Sequence, residues 1–75
     1  MIRFRLKELI ADKSFQEARI VTINEVAEAT GIHRTTLNRI ANHPGANTTT
    51  DNLDKLCEFF KCELSDIAQR YQPKG

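Results

Sequence analysis

The sequence predicts a single all-α domain built from five short helices. Its 75 residues are 40% hydrophobic and 28% charged, a balance typical of a small folded protein with one core. Apolar residues recur at helical spacing along most of the chain, and two breaks, at Gly31 and at the polar loop around Pro44, divide the pattern. We therefore predict one domain over residues 1–70, followed by a flexible C-terminal tail over residues 71–75.

The first helix is predicted over residues 3–13, where Leu6 and Leu9 lie one helical turn apart. The residues at the very start alternate between apolar and basic side chains, so an extended start at residues 2–5 also fits. A stretch of extended character at residues 19–22 is the candidate strand partner for that start.

The second helix begins at Thr22. The stretch TINE has the capping-box pattern, in which the threonine oxygen accepts a first-turn N–H and the Glu25 side chain reaches back to the backbone of Thr22. Gly31 is predicted to end the helix, because glycine adopts a positive φ without a Cβ clash. Ile32 then supplies the apolar contact that accompanies such a helix end.

The third helix is predicted over residues 33–41, with Leu37 and Ile40 facing the core at i, i+3 spacing. Only about three residues separate it from the second helix. A glycine-containing turn this short joins two helices at about 90–120°, which is the helix-turn-helix arrangement.

The last two helices follow the polar loop. Thr49 or Thr50 caps the fourth helix, and Leu56 lies on its buried face. The stretch CELSDIAQRY predicts a short fifth helix in which Leu64 and Ile67 face inward.

The outward face of the third helix carries arginine, asparagine and threonine, the side-chain types that read base edges and phosphates. Arginine pairs with guanine through two hydrogen bonds, asparagine pairs in the same way with adenine, and threonine donates a hydrogen bond or contacts a thymine methyl. Opposite its buried side, the helix presents Thr35, Asn38, Arg39 and Asn42, with Arg34 at its start. No Asp or Glu occurs between Glu28 and Asp51. A surface without carboxylates suits DNA phosphates, and the net charge of +1 permits such a local basic patch.

Two segments resemble one known family. TINEVAEATGIHRTTLNRIAN resembles the helix-turn-helix of Cro/CI-type (XRE-family) regulators, and TTTDNLDKLCEFFKCELSDI resembles the fourth and fifth helices of that family. The resemblance extends over about residues 3–68. It implies a lambda-repressor-like domain that binds double-stranded DNA with its recognition helix, residues 33–41, in the major groove, usually as a homodimer on a palindromic operator. The implied function is that of a sequence-specific transcriptional regulator, repressor-like in type.

The same resemblance implies roles for individual residues. The base-contacting positions fall on Arg34, Thr35 and Arg39, with Thr36 and Asn38 as their neighbours. The positions that face the DNA backbone fall on Thr22, Asn24, His33, Asn42, His43, Asn47 and Thr48. His33 stands where the family usually has a serine or threonine cap, so it is either an unusual cap or a phosphate contact. Residues 14–21 are more numerous than usual between the first two helices, so this stretch either alters packing or builds a dimer contact.

A second hypothesis is a protein-interaction module, such as an antitoxin or an adaptor on the same fold. Phe59 lies beside the apolar stripe of the fourth helix, where it is either a dimer contact or a cover for the edge of the core. Tyr71 is a second candidate of the same kind. Together with the 14–21 stretch, these residues favour a surface that binds protein.

Other classes of function find no support in the sequence. It contains no assembled catalytic motif and no glycine-rich phosphate loop, so we expect no enzyme, no cofactor and no small-molecule substrate. Cys57 and Cys62 are five residues apart and His33 and His43 are ten apart, unlike the spacing of zinc ligands. Basic residues interrupt the apolar N-terminus, and no apolar run is long enough for a membrane span. We therefore expect a cytoplasmic protein.

Overall fold

Seven elements follow one another in the computed structural model, which describes residues 1–72. They are β1 (Ile2–Phe4), α1 (Leu6–Glu17), α2 (Ile23–Thr30), α3 (Arg34–Asn42), α4 (Thr50–Phe60), α5 (Leu64–Ile67) and β2 (Ala68–Arg70). The five helices confirm the predicted fold class, and a small two-stranded sheet is added to them. Residues 73–75, which belong to the predicted flexible tail, lie outside the described residues.

The core lies where the five helices meet. Its buried apolar side chains are Leu6, Val21, Val26, Ile32, Leu37, Ile40, Leu56 and Ile67. Each helix contributes at least one of them, and α2 packs against both α3 and α4. Burial of one apolar face per helix therefore accounts for the arrangement, as expected for helices that are amphipathic in sequence.

The chain begins as a strand rather than as the first turn of a helix. β1 runs antiparallel to β2, with Ile2 directly opposite Arg70. The predicted pairing of residues 2–5 with residues 19–22 is therefore wrong. Alternation of apolar and basic residues indicates an extended conformation, but it does not identify a partner strand that lies far away along the chain.

The segment between α1 and α2 is a tightly held turn. α1 starts and ends later than the predicted range 3–13, and Ala18 closes it in a left-handed conformation with φ of 54°. The Ser14 hydroxyl accepts a hydrogen bond from the N–H of Val21 at 2.9 Å, and Val21 itself is buried in the core. This anchoring to α1 explains why residues 19–22 do not join the sheet.

The predicted residues form both ends of α2. The Thr22 hydroxyl accepts a hydrogen bond from the N–H of Glu25 at 3.2 Å, and Gly31 ends the helix at a φ of 77°. The predicted second bond of the capping box, from the backbone of Thr22 to Glu25, is wrong. The Glu25 carboxylate binds the guanidinium of Arg19 instead. Two charge-assisted hydrogen bonds from one arginine outweigh a single bond from a backbone N–H.

α4 forms as predicted, whereas α5 differs from the prediction in its length and in the position of Leu64. Thr49, rather than Thr50, caps α4 by accepting a hydrogen bond from the N–H of Asn52 at 3.1 Å. α5 has only four residues, and its Leu64 is 54% exposed, so the predicted inward position of Leu64 is wrong. Ile67 is buried as predicted. The chain leaves the helix directly after it, because the following backbone pairs with β1.

The end of α4 gives a direct test of backbone strain. Lys61 adopts a left-handed conformation with φ of 53°, which costs a residue with a Cβ about 1 kcal/mol. We expect Lys61→Gly to raise the free energy of unfolding by up to about 1 kcal/mol, measured by urea denaturation. Gly31→Ala is the matched control of opposite sign, since the added Cβ meets no atom within 4 Å and only the φ of 77° is strained. Destabilisation by Lys61→Gly would contradict the assigned conformation.

Candidate nucleic-acid interface

α2 and α3 form a helix-turn-helix around the buried side chain of Ile32. The turn residues lie between Thr30 and Arg34, and the left-handed Gly31 reverses the chain. The Thr30 hydroxyl donates to the carbonyl of Val26 at 2.7 Å and accepts from the N–H of Ile32 at 3.2 Å. Because these bonds hold the turn and Ile32 fills the core below it, the start of α3 has a fixed position.

One face of α3 is buried and the other is open to solvent. Leu37 and Ile40 point into the core with at most 2% exposure. The exposed residues of the helix are Arg34, Thr35, Asn38, Arg39 and Asn42. Thr36 is half-buried at the flank. The five residues predicted to contact bases thus lie on one helix, four of them fully on its exposed side.

A hydrogen bond links the first turns of α2 and α3. The Arg34 guanidinium donates to the side-chain oxygen of Asn24 at 3.2 Å, and both residues are exposed. Thr22, at the start of α2, is exposed beside them. The asparagine oxygen carries no formal charge, so this contact orients the guanidinium without neutralising it. The two helix starts therefore offer a cation and polar groups together.

His33 occupies the N-cap position of α3 and is exposed. Within residues 1–72 its side chain makes no capping hydrogen bond, so the prediction of an unusual cap is wrong. The backbone N–H groups of the first turn consequently lack a side-chain partner at the positive end of the helix. The alternative role of His33, as a phosphate contact, stays a prediction.

The loop after α3 is fixed by its own backbone and by β1. The N–H of Gly45 donates to the carbonyl of Ile2 at 2.9 Å, and the N–H of His43 donates to the carbonyl of Arg39 at 2.9 Å. His43 and Asn47 are exposed, whereas Thr48 is half-buried. The residues of this loop that are predicted to contact the DNA backbone therefore lie on a segment whose position relative to α3 is fixed by hydrogen bonds.

Lys7 is a cation near this surface that the sequence patterns do not single out. It lines the same depression as Asn42 and Pro44, at the end of α3. Nothing in the local sequence relates α1 to α3, because their proximity depends on tertiary packing. Lys7 extends the set of basic side chains beyond the helix-turn-helix itself.

Two carboxylates near this surface, Asp51 and Glu25, are partners of cations. Glu28, which lines the same depression as His33 and Arg34, is exposed and forms no ion pair within residues 1–72. Asp51, which follows the acid-free stretch, lies 3.1 Å from the amine of Lys55. Glu25 is bound by Arg19 on the other side. These pairs reduce the negative charge that a DNA phosphate would meet around α3.

The predicted dimer-contact residues have partners within the chain. Phe59 is half-buried, its ring centroid lies 4.9 Å from that of Phe60, and the Lys13 amine lies 5.0 Å from its ring centroid. It covers the edge of the core. The Tyr71 hydroxyl donates to the sulfur of Met1 at 2.8 Å. A role for Phe59 or Tyr71 in a dimer stays a prediction.

The most exposed large apolar residues lie elsewhere, in the last turn of α1 and in the segment that follows it. Phe15 is 88% exposed and Ile20 is 83% exposed. Neither belongs to a periodic apolar pattern, and that mismatch is the feature of the sequence that marks them. Large apolar side chains at the surface favour contact with another protein, so these two residues form a candidate protein-binding surface.

The fold and this exposed face define a helix-turn-helix domain of the kind that binds DNA. The family model of the Cro/C1-type HTH DNA-binding domain matches residues 5–73, and the chain belongs to that family. No curated protein is significantly similar to the chain. Family membership confirms the resemblance found in the sequence and establishes DNA binding as the general function of the domain. Among residues 1–72, no helix has both the length and the apolar character needed to cross a membrane.

Proposed function

We propose that the protein is a sequence-specific transcriptional regulator that places α3 in the major groove of duplex DNA. One observation carries this proposal: α3 exposes Arg34, Thr35 and Arg39 on a face without carboxylates, while its opposite side is locked into the core. A recognition helix needs this combination, because base readout requires side chains held in register by a rigid backbone.

The side chains of α3 divide by chemistry. Arg34 and Arg39 suit guanine, whose O6 and N7 accept two hydrogen bonds from one guanidinium. Thr35 suits a thymine methyl or a hydrogen-bond acceptor, and Asn38 suits adenine if it reaches a base edge. Thr36, half-buried at the flank, has the least freedom to extend into the groove.

A second set of residues is assigned to the DNA backbone. Its members lie at the start of α2, at the start and end of α3, and in the following loop: Thr22, Asn24, His33, Asn42, His43, Asn47 and Thr48. Uncharged polar side chains and first-turn N–H groups hold phosphates in position without reading sequence.

Binding as a homodimer gives the simplest route to regulation. Two copies related by a two-fold axis recognise half-sites about one helical turn apart, roughly 34 Å between centres. Occupation of such an operator excludes other proteins from it, which is repressor-like action. The chemistry of the recognition face does not depend on this step.

The experiment is selection from a randomised duplex library at two salt concentrations, with sequencing of the bound fraction. The proposal requires an enriched palindrome or half-site whose affinity falls steeply as salt increases, because each phosphate contact releases counterions. Weak binding without enrichment and without salt dependence would overturn it, and the helix-turn-helix would then serve as a scaffold.

A protein-interaction module is the second candidate, and the exposure of Phe15 and Ile20 favours it. If this candidate is right, the protein co-purifies with a partner protein at a fixed stoichiometry, and the double variant Phe15→Ser/Ile20→Ser loses the partner without losing stability. Leu64→Ser is the control, because Leu64 is an exposed apolar residue on α5, in a different part of the chain. Retention of the partner by the double variant would contradict the role of these two residues.

A further inference from the structure

The turn before α2 places one arginine over the first turn of that helix. The Arg19 guanidinium donates two hydrogen bonds to the two carboxylate oxygens of Glu25, each at 2.6 Å. It also donates to the carboxylate of Glu17 at 3.0 Å. Parallel bonds of this kind are the strongest arrangement between an arginine and a carboxylate, and lysine does not reproduce it.

Glu25 lies where an unpaired carboxylate would interfere with DNA. It belongs to the same helical turn as Thr22 and Asn24, which we assign to the DNA backbone. A glutamate carboxylate is charged at neutral pH, and the hydrogen bonds from Arg19 lower the pKa of Glu25 further. Without a cation, this charge would repel the phosphate that approaches the positive end of α2.

Backbone geometry delivers Arg19 to this position. The left-handed Ala18 ends α1, and the N–H of Arg19 then donates to the carbonyl of Ser14 at 3.1 Å. Two residues later, Val21 is fixed by the Ser14 hydroxyl and by burial in the core. Since the chain is held on both sides of Arg19, its side chain extends across the start of α2.

We propose that Arg19 is a positioning residue for DNA binding, which acts by pairing with Glu25 so that a phosphate can approach Thr22 and Asn24. This role rests on the proposed function. It assigns the 14–21 stretch a role that is distinct from a dimer contact. It also explains why the capping box is incomplete, because Glu25 must turn away from the backbone of Thr22 to bind Arg19.

A double-mutant cycle on the full chain tests the proposal, using the duplex selected from the library. We expect Arg19→Ala to weaken binding by about fivefold at low salt, the scale of one exposed charge pair, and less at high salt. In a Glu25→Gln background the same change should cost less than about twofold, because the carboxylate beside Thr22 and Asn24 is already gone. Thermal melts of all variants separate these effects from a loss of folding.

Lys13→Ala is the matched control. It removes one positive charge from the same end of α1, but its partner is Glu17, at 2.7 Å, and not Glu25. It should change duplex affinity by less than about twofold. Equal losses from Arg19→Ala in both backgrounds would overturn the proposal and make Arg19 a phosphate contact in its own right. If the wild-type protein binds no duplex, the proposed function fails as well. The library selection with the wild-type protein gives that result before any variant is made.

Discussion

Replacing Arg39 with alanine is expected to weaken binding to the preferred duplex by about 1–3 kcal/mol and to relax the preference at one base pair. Arg39 lies on the exposed face of α3, next to two positions that are fixed by burial, at Leu37 and Ile40. A guanidinium that starts from a fixed backbone is able to hold two hydrogen bonds to guanine, and alanine removes both. Selection from the randomised library, repeated with the variant, measures the affinity and the preference together.

Arg70→Ala is the matched control for Arg39→Ala. Arg70 is an exposed arginine on β2, outside the helix-turn-helix, so its removal changes net charge equally. We expect a small loss that is the same for all sequences. If Arg39→Ala also produces a uniform loss, with the sequence preference intact, Arg39 contacts a phosphate and its assignment as a base-reading residue fails.

Replacing Leu56 with alanine is expected to lower the free energy of unfolding by about 2–5 kcal/mol. Leu56 is the one fully buried residue of α4, and the other apolar residues of this helix that pack against the core are only partly buried. Small domains have total stabilities that start near 5 kcal/mol, so this single change removes a large part of the stability or all of it. Urea denaturation monitored by far-ultraviolet circular dichroism measures the effect.

Leu64→Ala provides the comparison for Leu56→Ala. The two changes delete the same atoms, but Leu64 is 54% exposed at the start of α5. We expect it to change the free energy of unfolding by no more than about 0.5 kcal/mol. Similar losses at the two positions would show that α5 packs more deeply than its exposure indicates.

The helices were predictable because their determinants are local. Apolar spacing marks a face within two turns, and the ends are set by single residues such as Thr22, Gly31 and Thr49. Each of these acts through atoms within four residues along the chain. The helix-turn-helix followed from the same information, since a short turn leaves few ways to pack two amphipathic helices.

The sheet and α5 were not predictable for the opposite reason. β1 and β2 have three residues each, and their pairing joins distant parts of the chain. Periodicity over so few residues does not separate a strand from a helix, and Leu64 was assigned inward on a pattern that continues for only four helical residues. The pairing of β1 with β2, a contact between distant parts of the chain, determines both where the strands form and where α5 ends.

The candidate site was predictable as a surface and less so as a set of contacts. Helical periodicity places Arg34 and Arg39 on the exposed face, and the acid-free stretch gives its charge. The pair formed by Arg19 and Glu25 was missed, because the capping-box pattern assigns Glu25 to the backbone. The Glu25 carboxylate can bind either the N–H of Thr22 or the guanidinium of Arg19. The outcome depends on the conformation of the turn that carries Arg19, which the local sequence does not specify.

Pairing of β1 with β2 imposes an order on folding during synthesis. β1 has no partner strand until residue 70 has left the ribosome. Closing the loop between the two strands carries a substantial entropic cost because it is long. Ile67, which is fully buried, also arrives late. The contacts of α2 with α3 and α4 join segments closer along the chain than the two strands, so they form earlier. We therefore expect nascent chains to contain a loosely packed helix-turn-helix. It becomes resistant to protease only when β2 pairs with β1.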